Sequence, residues 1–424
     1  MKIQGTKLLS VDESDLINGV FSNSKVTELA DGCFYNMRGL VKLVLPKVKT
    51  MGNDCISYND KLTSVSLPVC TTMGNYCIRS NAALTSVSLP VCTTMGDGCI
   101  SSNAALTSVS LPVCTTMGNY CIYNNASLTS VSLPVCTTMG EYCISSNAAL
   151  TTVSLPVCTT MGHYCISSNA ALTTVSLPVC TTMGSYCISY NASLTTVSLP
   201  VCTTMGNYCI RYNAALTSVS LPVCTTMGND CIRYNAALTS VSLPVCTTMG
   251  NDCIYNNAAL TSVSIRKKEY NIKNVDGSCF VIEGEKTSKG IKIYTGYNLI
   301  GMKDKKLLRD DCYVAEKDNF FAHGKDLKSA VGDLQFKIVA EKLKNDPINE
   351  DTELTVMYYR TLTGACDFGC RNFMDTHGIP YRIEGTGSNA KTVEISPMKA
   401  KDLLPLLKKN NAYGYEKFKS LLTF

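Results

Sequence analysis

Residues 62–83 read LTSVSLPVCTTMGNYCIRSNAA. The same 22-residue unit returns almost letter for letter, with its first leucine at Leu84, Leu106, Leu128, Leu150, Leu172, Leu194, Leu216 and Leu238. Nine near-identical copies run to Ala259, and residues 260–265 open a further strand that ends at the basic cluster Arg266, Lys267, Lys268. Within a copy Leu62, Val65 and Leu67 are apolar while Ser64 and Ser66 are polar, which is the period of two expected of a half-buried strand. Pro68 ends that strand. Cys70, Met73, Cys77 and Ile78 then turn a second apolar side inward, with Gly74 supplying a turn. One such coil cannot bury its own apolar face, whereas coils stacked with parallel strands about 4.8 Å apart can. Degenerate coils precede the exact ones: Leu43, Leu45, Val48, Met51, Cys55 and Ile56 keep the frame, and Val26, Leu29, Cys33 and Phe34 fit it one step earlier.

This frame resembles the leucine-rich repeat and, within it, the BspA-like group, whose units resemble LxxIxLPxxVTSIGxxAFxxC. Here LTSVSLP matches the strand, TTMGNYCI takes the place of TSIGxxAF, and Asn81 sits at the Asn/Cys ladder position. Residues 26–34, VTELADGCF, match more closely still. The unit departs from the pattern in being one residue shorter, with Cys70 at the usual Val position. The resemblance implies a solenoid, so the expected fold is α+β: an N-terminal leucine-rich-repeat solenoid, a parallel β stack, followed by a small α+β C-terminal domain. The expected division is 1–39 for an N-terminal cap and degenerate repeat, 40–265 for the solenoid and 266–424 for the C-terminal domain.

Composition supports this. The chain has 424 residues, 45% hydrophobic and only 17% charged, with 24 Cys, no Trp and a net charge of +5. A globular average is about 25% charged, so charge is scarce, but the ordinary apolar fraction excludes disorder. Asp12, Glu13 and Asp15 stand where a secretory leader needs its apolar run, and no run of about 18 apolar residues occurs. The expected location is therefore cytoplasmic, without membrane insertion and with free thiols; a virion is the alternative. Most cysteines fall twice per copy, at Cys70, Cys77 and their equivalents. That spacing fits small buried hydrophobes, not zinc pairs, and parallel Cβ vectors on adjacent coils suit disulfides poorly. Ser64, Ser66 and their equivalents read as solvated ladders along the sheet face.

The copies differ freely at four positions only. The pair after the glycine reads Asn75-Tyr76 in the first copy, and then brings Tyr120, Tyr142, His163, Tyr164, Tyr186, Tyr208, Asp230 and Asp252 in later ones. The pair after Cys-Ile reads Arg79-Ser80, and then brings Tyr123, Tyr190, Arg211, Tyr212, Arg233, Tyr234 and Tyr255. The two pairs are expected one helical turn apart on a short turn or helix, so that stacking aligns them into a stripe about 40 Å long. Tyr and Arg supply contact area while Ser, Asn and Gly adapt, as in paratopes. Drift at unrestrained positions is the plain alternative, but drift would also have touched Thr63, Ser64, Ser66, Thr71 and Thr72.

Charge limits the partner. Residues 62–265 carry Arg79, Arg211 and Arg233 against Asp97, Glu141, Asp230 and Asp252, so the repeats are no phosphate-tracking surface and nucleic acid is not expected. A protein or glycan is. Beyond residue 265 the sequence becomes charge-rich and non-repetitive. Alternating runs at 270–272, 279–282, 290–294 and 312–315 read as an antiparallel meander, and helical patterns follow at 326–343, 353–362, 365–377, 399–409 and 415–422. The segments FAHGKDLK at 321–328 and TGAC at 363–366 resemble a C-terminal module of phage- and prophage-encoded repeat proteins. Cys366 and Cys370 share a helix face, with His377 seven residues on. They read as core thiols, with a zinc site or a Cys/His pair as the sharper alternative.

The expected function is a non-enzymatic binding protein without catalytic residues, metal or cofactor. The alternatives are an enzymatic effector with its chemistry in 266–424 and an adhesin or virion component. The sequence assigns no oligomeric state. The variable set is also what adenine-directed mutagenesis of AAY codons yields, Glu141 excepted. AAY-derived codons at these positions are the expected result of reading the gene, and their absence would remove that mechanism.

Overall fold

The computed structural model describes residues 1–343, 347–363, 365, 367–384, 391–394 and 397–424. They form two compact units, residues 1–279 with 299–309, and residues 280–298 with 310–424.

The first unit is a parallel β-solenoid of about a dozen coils. Each coil turns through short extended pieces, Ser64–Ser66, Thr72–Met73 and Ile78–Arg79 in the first exact copy. Each piece lies in register on its counterpart 22 residues on: Val65 on Val87, Met73 on Met95, Ile78 on Ile100. Leu62, Val65, Leu67, Cys70, Met73, Cys77 and Ile78 fill the interior, each at most 2% exposed. The described cysteines are buried. Cys77 donates from Sγ to the carbonyl of Gly52 at 2.9 Å, an oxygen that Cys55 Sγ also reaches at 3.2 Å, so the thiols serve backbone acceptors inside the stack. Burial pushes the Cys70 thiol up to about 11 and that of Cys158 to about 12.

Polar ladders hold the coils together. The asparagines at the Asn81 position are fully buried. Asn147 donates its backbone N–H to Asn169 Oδ1 at 2.9 Å and its Nδ2 to the Ile122 carbonyl at 2.9 Å, while its Oδ1 accepts from the Asn125 N–H at 3.0 Å. A second ladder runs through the Asn75 position on the surface. Asn75 Oδ1 accepts from the Asp97 N–H at 2.8 Å, and Asp97 Oδ1 accepts from the Asn119 N–H at 2.7 Å. Further on, His163 Nδ1 accepts from the Ser185 N–H at 2.8 Å, and Ser185 Oγ from the Asn207 N–H at 3.2 Å. Threonines add a third contribution, Thr85 Oγ1 donating to the Thr63 carbonyl and Thr93 Oγ1 to that of Thr71. Gly74 is required by closeness: a Cβ there would lie 2.8 Å from the Gly52 backbone in the coil before.

Both ends of the stack are covered within this unit. At the start, Lys7–Ser10 pairs with Glu28–Leu29 and with the antiparallel Lys2–Gln4, and Phe21 meets Phe34 edge-on at 5.0 Å. At the far end Ser262–Ile265 pairs antiparallel with Lys268–Val275. Met249 faces Met302, and the Asp252 N–H donates to the Ile300 carbonyl at 2.7 Å. The otherwise open edge is thereby blunted by antiparallel chain, a usual remedy for unpaired strands.

The second unit contains the antiparallel pairing of Phe280 with Asn298 through Ser288 with Ile291, and that of Tyr313 with Gly324 through Lys317 with Phe320. Helices follow: α1 (Leu327–Leu343), α2 (Val356–Thr363), α3 (Asp367–His377), α4 (Ala400–Lys409) and α5 (Tyr415–Lys419). Ala330 and Leu334 of α1 pack on Ala315 and Ala322. Tyr359, Leu362, Met374, Leu403, Leu407 and Phe418 form a second core among the remaining helices. One expected helix starts late. Glu353–Leu354 is a strand paired with Met398–Lys399, because Thr355 Oγ1 accepts the Tyr358 N–H at 2.9 Å and so caps α2 at Val356. Among the described residues no helix is long and apolar enough to cross a membrane.

Asn147→Ala strands the Asn125 N–H and the Ile122 carbonyl, and is expected to lower stability in urea unfolding by about 2–4 kcal/mol. Asn207→Ala, on the surface ladder, is expected to cost about 1 kcal/mol, and Asn207→Asp almost nothing. The thiols set a pH dependence. A folded-state value of about 11 to 12 means that the folded chain retains protons which the unfolded chain releases near 8.5. Stability is therefore full below that pH and falls above it, by about 1.4 kcal/mol per thiol per pH unit. Circular dichroism is expected to show steep loss of the solenoid above about pH 9, and a flat profile to pH 11 would contradict it.

Candidate functional site

The variable positions lie on the return path of each coil, between Gly74 and Asn81 in the first copy. The chain there is not helical. Residues 75–77 make a turn and Ile78–Arg79 a two-residue strand, because Cys77 and Ile78 must both face the interior. Two of the four positions adopt left-handed backbone: Tyr76 has φ +55° and Ser80 φ +55°, and their equivalents follow. This differs from the expected helical turn, but it still brings the variable side chains of successive coils into columns.

Each position has its own environment. At the Asn75 position Asn, Asp, Ser and His all offer an acceptor to the next coil, as described above; Glu141, whose carboxylate lies one methylene farther out, makes no such bond. At the Arg79 position the serines turn inward. Ser101, Ser145, Ser167 and Ser189 are buried, and Ser189 Oγ donates to the Tyr186 carbonyl at 2.7 Å. The larger residues Arg79, Tyr123, Arg211, Arg233 and Tyr255 are half-buried.

The left-handed positions carry the aromatic surface. Tyr120, Tyr142, Tyr164, Tyr186 and Tyr208 form one column, their ring centroids 4.5–4.7 Å apart and their planes within 16°. Tyr190, Tyr212 and Tyr234 form a second, at 4.8 and 4.6 Å. Gly98 separates Tyr76 from the first column, and a Cβ there would strike the Tyr76 ring. Tyr123 meets Tyr120 edge-on at 5.4 Å. Arginines bridge the columns: the Arg211 guanidinium lies 5.0 Å from the Tyr208 ring, 4.5 Å from Tyr212 and 5.3 Å from Tyr234. Arg233 lies 4.7 Å from both Tyr234 and Tyr255 and pairs with Asp230. Arg79 sits apart, over Tyr76 at 5.1 Å. Asp252 is exposed, its backbone held by Ile300. Burial among its neighbours, with the adjacent phenols adding, pushes Tyr164 up to about 12. The Asp230 charge raises Tyr208 as well. The rings form a row that the sequence did not reveal because the stacking depends on backbone handedness.

The second unit holds a cavity of about 780 Å³, lined by Asp326, Ser329, Tyr359, Cys370, His377 and Asn410 among others. Several of its polar groups are engaged in structure. Asp326 Oδ1 accepts from Ser329 at the start of α1, and the Tyr359 hydroxyl donates to the Tyr413 carbonyl at 2.7 Å. His377 Nδ1 lies 2.8 Å from the Phe373 carbonyl, and its Nε2 3.0 Å from Asn410 Nδ2. Cys366 and Gly364 lie outside the described residues. Among the described residues no three His, Cys, Asp or Glu side chains converge as a metal site would require.

Comparison with known proteins adds the family. The model of the BspA type leucine rich repeat region, in six copies, matches residues 12–128, 93–215 and 169–284. Similar solved structures include a leucine-rich repeat protein from Bacteroides ovatus (19% identity over 55% of this chain and 74% of that one, TM-score 0.39). Others are the pneumococcal vaccine antigen PcpA (14%, 58% and 67%, 0.40) and a leucine rich cell surface protein from Faecalibacterium prausnitzii (15%, 61% and 87%, 0.35). No curated protein matches. The match ends at residue 284, so the resemblance drawn from residues 321–328 and 363–366 stands outside it. Because the family model spans residues 12–284, well over half of the sequence and the whole stack of 22-residue coils, the chain belongs to the BspA-type leucine-rich repeat family.

Proposed function

We propose that the Tyr and Arg surface running from Tyr120 to Tyr255 is a recognition surface, and that the protein is a non-enzymatic binder of a protein or glycan partner. The observation that carries this is the placement of tyrosine on left-handed backbone. A bulky L-residue there costs about 1–2 kcal/mol, which is why Gly, Asn and Asp usually take such positions. A stacked aromatic pair returns about 0.5–1.5 kcal/mol. The two roughly cancel, so the tyrosines contribute little to holding the coils together, and their presence in column after column is accounted for by what they contact outside.

Two of the invariant neighbours need no such account. The hydroxyls of Thr63 and Thr71 donate to the carbonyls of Val41 and Lys49 in the coil before, so their constancy says nothing about drift. Ser66 and Thr72 are exposed, and their equivalents do not vary across the copies, which still sets the variable positions apart. The row of phenols and the bridging guanidinium groups of Arg211 and Arg233 supply polar groups within a rigid frame, and pre-ordered groups bind at low entropic cost. An adhesin or virion component would use the same surface. An enzymatic role in 266–424 draws support from the cavity alone, where Asp326, Tyr359 and His377 are each engaged by a neighbouring residue.

The test is capture of partners from protein and glycan arrays by the full chain, then titration of each hit against a variant with Arg211, Tyr212, Arg233 and Tyr234 all changed to Ala. Losing two aromatic anchors and two arginines is expected to weaken binding at least about a hundredfold. Unchanged affinity for every partner would remove the proposal.

A further inference from the structure

A different row of side chains runs the length of the stack. Val69 and its equivalents at 22-residue intervals to Val245 are each 38–42% exposed, in contrast to the buried Val65 four residues earlier. The proline before each is exposed in seven copies, and half-buried at Pro178 and Pro244. Nothing in the recognition surface uses these residues, and none of the nine pairs varies, although packing in the interior does not fix them. The flanking positions Ser66, Thr71 and Thr72 carry hydroxyls and no charge. Nine valines exposing on the order of 60 Å² each, with their prolines, make a continuous apolar strip on the order of 900 Å². That exceeds the largest patch of a typical soluble monomer, roughly 300–600 Å². It equals what one partner brings to a standard interface, about 800 Å².

The strip has defined ends. In the coil before the first exact copy the valine position is Lys47, and in the turn that follows the last strand of the stack it is Lys267; both are exposed. An unbroken repeat would slide freely in steps of one coil. With a lysine at each end, any slip drives an ammonium group over the valines of the facing surface, a desolvation cost of several kcal/mol. The two lysines therefore hold an overlap of the nine valines in one register.

We propose that this strip is the interface between two copies of this chain. Between its two end lysines the strip carries no charge, so along its length it does not repel a second copy, and the facing lysines at the ends stay in water where their repulsion is about 1 kcal/mol or less. Only a surface with the same coil spacing can seat its ridges between these valines along the whole length, and the second copy has that spacing by construction. A two-fold pair uses the same patch on both sides and closes, leaving no strip to propagate. Val157 is the fifth of the nine valines, so it lies at the middle of the overlap whether the two copies run in the same or in opposite directions.

Sedimentation equilibrium of the full chain at low and high micromolar concentration tests this. The expected mass is twice 45.8 kDa. Changing Val135, Val157 and Val179 to Thr keeps shape and volume; it is expected to weaken dimerisation at least tenfold with an unchanged thermal melt. Val157→Cys places an accessible thiol at the centre, and with diamide as oxidant it is expected to yield a covalent dimer, the diamide being reduced to the hydrazine as the disulfide forms. A wild-type chain monomeric at high micromolar concentration overturns the proposal, as does a threonine variant that dimerises like wild type. A cysteine variant that stays at single-chain mass after oxidation does so too.

Discussion

The contact between one coil and the next sets everything else in this protein. Each residue sits on its counterpart 22 positions away, at the spacing of a β-ladder. The backbones approach so closely at Gly74 that a methyl group would not fit. At that distance the return path, which has little regular sheet, must still satisfy its amides. The buried asparagines do this from inside and the Asn75 position from outside, each side chain serving the backbone of a neighbouring coil. The apolar interior stabilises the stack in bulk, but these two ladders fix the coil height, and the height fixes the spacing of every column on the surface.

That spacing explains why aromatic residues accumulate where the backbone least favours them. Rings on adjacent coils fall about 4.6 Å apart, near the optimum for offset stacking. A lone tyrosine at φ +55° would be a liability; a column of them is nearly neutral. Such a frame tolerates exchange at the surface because the cost of each exchange is small, and it can display a sequence of side chains without refolding. The same logic governs the valine ridge, where regularity is kept instead of varied.

Much of this was legible in the sequence, for a particular reason. Leu62, Val65, Leu67 and Cys70 recur so strictly that a period of 22 leaves no other packing, and Asn81 was recognisable as a ladder residue. The helices of the second unit were visible in their periodicity, except that Thr355 starts α2 where the pattern alone pointed to Glu353, and α5 ends at Lys419 where the pattern ran to Leu422, which instead bridges Ile348. The surface was harder to read. Handedness at Tyr76 and Ser80 follows from closing a tight turn with both Cys77 and Ile78 inside, a three-dimensional condition with no counterpart in residue type. The inward rotation of Ser101 and Ser189, against the half-exposed Arg211, is decided by size at a place where the sequence shows only variation.

The surface ladder has one missing step. Glu141 offers no acceptor to His163, whereas the other coils around it are joined at that position. In a linear array stability is a sum over neighbouring interfaces, so a weakened joint does not spread its effect evenly. The buried ladder, the Thr159 bond and the Ser145–Ser167 pair still cross the joint between the fourth and fifth exact copies, so the loss is local to its outer edge, at the amide of His163. Amide exchange would then be faster at His163 than at the equivalent amides of the neighbouring coils, a single soft point in an otherwise regular stack.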